Sequence, residues 1–392
     1  MDGADYGGGE STGEKWMTDH SFILNGKTVE FVPGQTILEA AQSNGVWIPT
    51  LCHLKGATPT GACRICVVEV KGARTLAASC ATPVSSGMAV GTETPKVVTA
   101  RKLVLEMLLA SGNHNCTVFS GDTGNWTDFQ LSVQKTDGAT ELCPVWGDCR
   151  LQDLAFRYQV QCTRFKPQTD TFPAERINPL IVRDFSRCIL CGRCVQACND
   201  IQVNRAISYG YRGKQSKIVA AGDRALIDSD CVFCGECVQA CPVGALVEKK
   251  SQLTWRPWDT RKIRTTCPYC GAGCQLWLHV RDGKIVKVTG VEDAEPNQGR
   301  LCVKGRFGYD FIYSEDRLKT PLIRENGEFR EASWDEALDL VADKFKAIIA
   351  ESGPDALAGV SCARSISEDS YQMQKLFRVV FGTNNIDHCA RT

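Results

Sequence analysis

Apolar and polar positions first alternate over Ser21 to Val32, SFILNGKTVEFV, on either side of Asn25-Gly26. That dipeptide tolerates the left-handed backbone of a two-residue hairpin, so the stretch predicts two antiparallel strands. A short helix is expected through Ile37 to Ala41, closing near Gly45. CVVEV and RTLAAS read as strands on either side of the Lys71-Gly72 turn. At Thr94-Pro95 the period changes, with threonine as cap and proline as first helical residue, and VVTARKLVLEMLLA carries a helix to Gly112. QLWLHV and KIVKVTG read as strands joined at Asp282-Gly283.

From Tyr313 the pattern becomes α/β. Ser333-Trp334-Asp335-Glu336 has the form of a capping box, and Ala337, Leu338, Val341, Phe345 and Ile348 make an apolar helical stripe ending at Gly353-Pro354. LAGVS reads as a strand and SEDSYQMQKLFRVVFG as a second helix. Two helices and a strand bury too little to form a core of their own. The first 18 residues, rich in glycine and polar side chains, read as a flexible leader.

Composition narrows the classes. The 392 residues suffice for two to four domains, are 43% hydrophobic and 23% charged, and carry no net formal charge, which disfavours an electrostatic nucleic-acid binder. No stretch approaches the ~20 apolar residues that span a bilayer, and no secretory or twin-arginine signal opens the chain, so a cytoplasmic protein is expected. The 22 cysteines cluster at metal-ligand spacings, unlike the disulfide framework of a small secreted domain.

CILCGRCVQAC and CVFCGECVQACP each place four cysteines as Cys-x-x-Cys-x-x-Cys-x-x-x-Cys, the spacing of bacterial double-cluster ferredoxins. Three thiolates on one tight loop hold three corners of a 4Fe-4S cube, and the fourth reaches the neighbouring cube. This assigns Cys188, Cys191, Cys194 and Cys241 to one cube, and Cys231, Cys234, Cys237 and Cys198 to the other. Zinc is the alternative, but zinc knuckles supply two ligands each, whereas four cysteines fall in one run here, twice. Asn199 stands where the second run has Pro242.

Cys52, Cys63, Cys66 and Cys80 beside the first strands look like a plant-type ferredoxin (β-grasp) domain with a 2Fe-2S cluster. Ten residues separate the first two cysteines, as in the corresponding domain of large subunits of respiratory NADH dehydrogenases, iron-only hydrogenases and soluble formate dehydrogenases. Four buried structural thiols are the alternative. In the same families the region after Gly112 resembles a one-histidine, three-cysteine 4Fe-4S site. The resemblance assigns His114, Cys116, Cys143 and Cys149, followed by the LQDLA signature at Leu151 to Ala155. A polar insert over residues 117–142 departs from the family. His114 could otherwise be a polar residue beyond a helix end, and Cys162 fits no cluster and reads as a packed thiol.

Cys267, Cys270 and Cys274 in CPYCGAGC, with Cys302 in GRLCVKG, would alone suit zinc or a cube. Their surroundings resemble the 4Fe-4S domain that opens molybdopterin oxidoreductases, where the equivalent of Lys304 assists electron passage between cube and pterin; a solvated surface lysine is the plainer reading. SQLTWRPWDTRK before it looks like an interdomain strap.

GTNNIDHCART resembles the segment that, in molybdenum or tungsten bis-pterin formate dehydrogenases, immediately precedes the metal-ligating selenocysteine or cysteine. The resemblance leaves His388 and Cys389 as core residues beside that site and puts no catalytic residue within the chain. It also leads to the expectation that a UGA selenocysteine codon follows Thr392, which a UAA or UAG codon there would overturn.

The fold class expected is α+β multidomain. Residues 1–18 are a leader, 19–93 a 2Fe-2S ferredoxin-like domain, and 94–171 the one-histidine three-cysteine domain. Residues 172–250 form the double 4Fe-4S ferredoxin domain, 251–312 the molybdopterin oxidoreductase 4Fe-4S domain, and 313–392 an incomplete pterin-binding domain. The resemblance implies one 2Fe-2S and four 4Fe-4S clusters, with molybdenum or tungsten bis-molybdopterin guanine dinucleotide in the full-length parent. It implies a formate dehydrogenase relay handling formate and carbon dioxide, without activity in this chain alone. No glycine-rich dinucleotide fingerprint is present, so a flavin/NAD-binding or ferredoxin-reducing iron-sulfur partner subunit is expected. The alternatives are a stand-alone electron-transfer subunit and an NADH dehydrogenase large-subunit-like protein; the paired ferredoxin runs together with NNIDHCAR weigh against the latter.

Overall fold

The computed structural model describes residues 20–112, 114, 143–160, 164–165, 172–251 and 255–389. The leader, Cys116, the insert 117–142 and Cys162 lie outside the described residues.

The predicted hairpin forms as β1 (Ser21–Leu24) and β2 (Lys27–Glu30), with Leu24 opposite Lys27 and positive φ at both Asn25 and Gly26. With β3 (Val67–Val70), β4 (Ala77–Ala78) and β5 (Ala89–Gly91) they make a mixed sheet in the order β2-β1-β5-β3-β4. Helix α1 (Ile37–Ser43) begins in a full capping box between Thr36 and Glu39 and buries Ile37, Leu38, Ala40 and Ala41 against this sheet. Helix α2 (Pro95–Ala110) starts at the expected cap, Thr94. It crosses to α3 (Arg150–Arg157), which carries the LQDLA residues. At the end of α2 only glycine fits, since a Cβ on Gly112 would lie 2.1 Å from the carbonyl oxygen of Ser186.

The paired cysteine runs sit on two equivalent loops. Each turns through a left-handed residue, Leu190 or Phe233, and a left-handed glycine, Gly192 or Gly235. Each glycine opens a short helix, α4 (Arg193–Gln196) or α5 (Glu236–Ala240). Around them stand two small sheets, β6 (Ile181–Arg183) with β9 (Leu246–Glu248), and β7 (Ile207–Gly210) with β8 (Lys217–Ala220).

The predicted strands β11 (Gln275–Arg281) and β12 (Lys284–Gly290) are joined by β10 (Arg261–Thr266), whose first two residues end the basic strap. The strap does bridge units: Trp255 is buried, with the Lys287 ammonium 4.3 Å from its ring centroid, and Arg256 Nη1 reaches the Pro144 carbonyl at 3.4 Å. Helix α6 (Val303–Phe307) follows Cys302.

Beyond Tyr313 come a hairpin, β13 (Leu322–Glu325) with β14 (Glu328–Glu331), then α7 (Trp334–Ser352), β15 (Gly359–Ser361), α8 (Ser367–Lys375) and β16 (Ile386–His388). Here two expectations are corrected. Only half of the capping box forms: Ser333 Oγ accepts from the Glu336 amide, but the Glu336 carboxylate turns to Arg330, 2.5 Å away. His388 and Cys389 are exposed rather than in a core, because β15 and β16 form a two-stranded parallel ribbon that lacks the cover such pairs require on both faces. The α7 stripe is likewise open, with Leu338 57% and Val341 48% exposed.

A buried polar pair seals the junction between the ferredoxin runs and the following unit. Glu248 is 3% exposed and accepts from the Tyr309 hydroxyl at 3.0 Å. Burial pushes its carboxyl up to about 7, against the pull of Tyr309 and Lys287. The unfolded chain ionises this group near pH 4.5, so its contribution to stability is present below that pH and is lost as pH rises to about 7. Glu248→Gln keeps an acceptor for Tyr309 without the ionisation. Relative to the parent chain it is expected to gain stability between pH 5 and pH 8, by up to about 3 kcal/mol. Urea midpoints at the two pH values check this; an equal difference at both would refute it.

Candidate metal centres

Most of the ligand candidates border a series of apolar cores. Cys52 and Cys63 pack in the same apolar cluster as Cys149, Cys188, Cys191 and Cys241, around Leu105, Leu109 and Leu151. Cys188 and Cys241 also border the next cluster, with Cys194, Cys198, Cys231 and Cys237, and Phe307 and Val303 of α6 reach into it. The last cluster holds Cys267 and Cys274 with Leu276 and Leu301. The first two clusters thus share Cys188 and Cys241, and α6, which follows Cys302, links the last set to the second cluster.

In the first set the thiols converge two and two. Cys66 and Cys80 have sulfurs 3.4 Å apart, and Cys52 receives S–H donation from Cys63 and Cys80, which holds Cys52 towards thiolate. Two sulfurs on one tetrahedral metal, at bonds of ~2.3 Å, stand ~3.8 Å apart, so the pairs suit two metals with little movement. Beside them Gln196 Nε2 reaches across from α4 to the Thr58 carbonyl at 2.5 Å. His53 has its basicity lowered by burial, and Nδ1 lacks a hydrogen-bond partner.

The eight cysteines of the paired runs all line one interior cavity. Its walls are apolar side chains such as Ile189, Ile207, Leu226 and Leu246. Burial pushes the thiols of Cys188 up to about 11 and Cys191 to about 12, and those of Cys194 and Cys237 well above the ordinary range. Thiols so placed resist ionising in water and become ligands when a metal takes the proton's place. Backbone amides already point at the sulfurs: Leu190 N–H donates to Cys188 Sγ at 3.4 Å, Phe233 N–H to Cys231 at 3.4 Å, and Ala206 N–H to Cys198 at 3.3 Å. Two runs of four cysteines around one apolar cavity make a donor set that suits a pair of multi-iron clusters.

His114 and the cysteines assigned with it are only partly brought together. The His114 Nε2 is sealed from solvent without a partner, and burial, helped by Arg187, lowers the ring to about 4, which keeps it neutral as a metal ligand must be. Its charged neighbours are Arg187 and Asp184. Cys149 instead neighbours Cys143 and Cys241, and its Sγ lies 3.6 Å from the Pro242 carbonyl. In the last set Cys267 is buried, Cys270 and Cys274 are half-buried and Cys302 is exposed. Lys304 is exposed, with Nζ 5.8 Å from the Tyr269 ring centroid.

Three arginines escaped the sequence reading. Arg101 of α2 is fully buried and donates to Glu93, Tyr158 and the Val67 carbonyl. Arg193 follows Gly192 beside the first run and is 5% exposed, and Arg306 of α6 is 2% exposed. The signal available was slight: the runs differ as CGRC and CGEC at the residue after glycine.

Comparison with known proteins gives matches along the same order. Residues 19–95 match a 2Fe-2S iron-sulfur cluster binding domain and 187–245 a 4Fe-4S dicluster domain. Residues 260–314 match the molybdopterin oxidoreductase Fe4S4 domain and 317–392 the molybdopterin oxidoreductase domain. The chain is 36% identical over 94% of its length to an NADH-quinone oxidoreductase subunit of Rhizobium meliloti, covering 40% of that protein. It is 35% identical over 95% of its length to the alpha subunit of an NADPH-Fe(3+) oxidoreductase of Geobacter sulfurreducens, again covering 40%. A Staphylococcus aureus protein named "Putative formate dehydrogenase" is 34% identical over 96% of the chain, which covers 39% of that protein. The chain thus spans about 40% of the length of these curated relatives. A crystal structure of an NAD+-reducing NiFe hydrogenase in the H2-reduced state aligns with a TM-score of 0.51 at 34% identity, over 60% of this chain and 90% of that one.

Proposed function

We propose that this chain, which belongs to the molybdopterin-family oxidoreductases as their iron-sulfur electron-transfer module, is the electron relay of a formate dehydrogenase. The observation that carries the reading is the succession of cysteine sets along the chain, those from Cys52 to Cys241 joined through shared cores and the set ending at Cys302 tied to them by α6. Cys52, Cys63, Cys66 and Cys80 would hold a 2Fe-2S cluster. Four 4Fe-4S clusters would be held by the two sets of the paired runs, by Cys267, Cys270, Cys274 and Cys302, and by His114, Cys116, Cys143 and Cys149. Such clusters, when bound, accept and release single electrons. The protein's part is to keep them dry, to aim amide dipoles at the sulfurs and to hold neighbouring sets in contact. Lys304 would assist passage to a molybdenum or tungsten pterin site.

Formate as substrate rests on the resemblance of NNIDHCAR and on the Staphylococcus aureus relative. A flavin/NAD-binding or ferredoxin-reducing partner subunit would exchange electrons at the 2Fe-2S end, since relatives of this chain are named as subunits. Among the described residues no helix is long and apolar enough to cross a membrane, and we place the protein in the cytoplasm. The Rhizobium meliloti relative favours a second reading, the large subunit of an NADH dehydrogenase. The two separate in one experiment on the full-length parent with its partner, under anaerobic conditions. Formate is expected to bleach the iron-sulfur absorbance without any nucleotide. Bleaching by NADH alone, with formate inert, would support the second reading instead.

A further inference from the structure

The paired loops are closed over their glycines by different parts of the molecule. Over Gly192 lies Tyr209 of β7, whose hydroxyl oxygen would be 2.3 Å from a Cβ there and which donates to the Leu190 carbonyl at 3.2 Å. Over Gly235 lies Arg306, whose Cδ would be 2.2 Å from a Cβ, with the Phe307 ring at 2.7 Å. The first loop is thus closed from within the ferredoxin unit, and the second by a residue four positions after Cys302.

Arg306 spends its whole guanidinium on that second loop. Nε donates to the Cys234 carbonyl at 2.8 Å, Nη1 to Gln239 Oε1 at 2.7 Å and Nη2 to Glu236 Oε2 at 2.9 Å. Its own backbone amide donates to the Cys302 carbonyl at 3.1 Å. One residue therefore connects by hydrogen bonds a ligand candidate of the second run with one of the C-terminal set. Gln239 braces the same joint, donating to the Gly299 carbonyl at 2.9 Å and accepting from the Gly290 amide at 3.1 Å. A planar fork with several donors suits this role in a way that a lysine ammonium does not.

We propose that Arg306 is the positioning residue that couples the Cys231, Cys234, Cys237 and Cys198 set to the Cys267, Cys270, Cys274 and Cys302 set. It fixes their separation and orientation, and its buried charge, partly balanced by Glu236, favours the reduced form of the second-run cluster. Hydrogen bonds, net charge and burial are the terms by which a protein sets such a potential. The inference rests on the iron-sulfur reading above.

The test uses the full chain purified anaerobically, as wild type, Arg306→Met and Arg306→Lys, with iron and acid-labile sulfide measured first. Dithionite-reduced samples are then read by electron paramagnetic resonance for magnetic interaction between neighbouring reduced clusters and for midpoint potentials. In Arg306→Met the interaction between the two sets is expected to weaken at full iron content. The second-run cluster should become harder to reduce by about tenfold, ~59 mV for one electron. Arg306→Lys is expected to recover the potential but not the interaction, and it carries the test alone should the methionine variant not assemble. Unchanged interaction spectra at full iron content in the variants would overturn the proposal. Absence of 4Fe-4S signals from the wild type would overturn the relay reading itself, and this inference with it.

Discussion

Replacing Arg101 with methionine is expected to lower the stability of the 2Fe-2S unit by about 3 kcal/mol, a large share of the usual stability of a domain. Arg101 is 0% exposed and fixes three separate pieces at once: the Val67 carbonyl of β3 at 2.8 Å, Glu93 before α2 at 2.6 Å and the Tyr158 hydroxyl after α3 at 2.7 Å. Methionine fills much of the space but offers no donor, which leaves a buried strand carbonyl without its partner. The Glu93 side chain is 48% exposed and can return to water, and Tyr158 can donate to it at 3.3 Å. These two facts hold the loss at the lower end of the range for breaking a buried charge pair. Urea unfolding followed by far-ultraviolet circular dichroism checks the value, and a change under about 1 kcal/mol would show that the network is not a structural joint.

The second large effect is expected from Cys237→Ser. Cys237 is boxed in by Cys198, Cys231 and Cys234, and burial raises its thiol well above the ordinary range. A serine hydroxyl ionises far less readily and is a poorer iron ligand, so the variant is expected to contain about four fewer iron atoms than the ~18 of a chain with four cubes and one two-iron cluster. Because this set lies between the first run and the C-terminal set, the loss should also isolate the two ends. Electrons supplied at the pterin end of the full-length parent should then reach the 2Fe-2S centre at least a hundredfold more slowly. Iron analysis and stopped-flow absorbance give the two readouts. Unaltered iron content would remove Cys237 from the ligand set.

Local chemistry made much of the fold legible. Asn25-Gly26, Thr94-Pro95 and Asp282-Gly283 each announce an element boundary through residues that satisfy a backbone requirement on the spot, and all three occur where expected. The cysteine spacing likewise anticipated two equivalent loops. Strand β10 was hidden because RKIRTT is an edge strand with charged, exposed alternate positions, which reads as a linker. The joint of Arg306 with Glu236 spans 70 residues and has no local signature. The stripe on α7 is correctly amphipathic, yet its apolar residues remain open, so periodicity identified a face without identifying what it faces.

The unequal closure of the two loops also bears on what counts as a module here. A cut near residue 250 would leave the Gly192 loop whole, with Tyr209 still over it. The Gly235 loop would lose its roof, and Glu236, now 8% exposed and countered by Arg306, would be left without that cation. A separation there would therefore take Arg306 away from the loop that it closes.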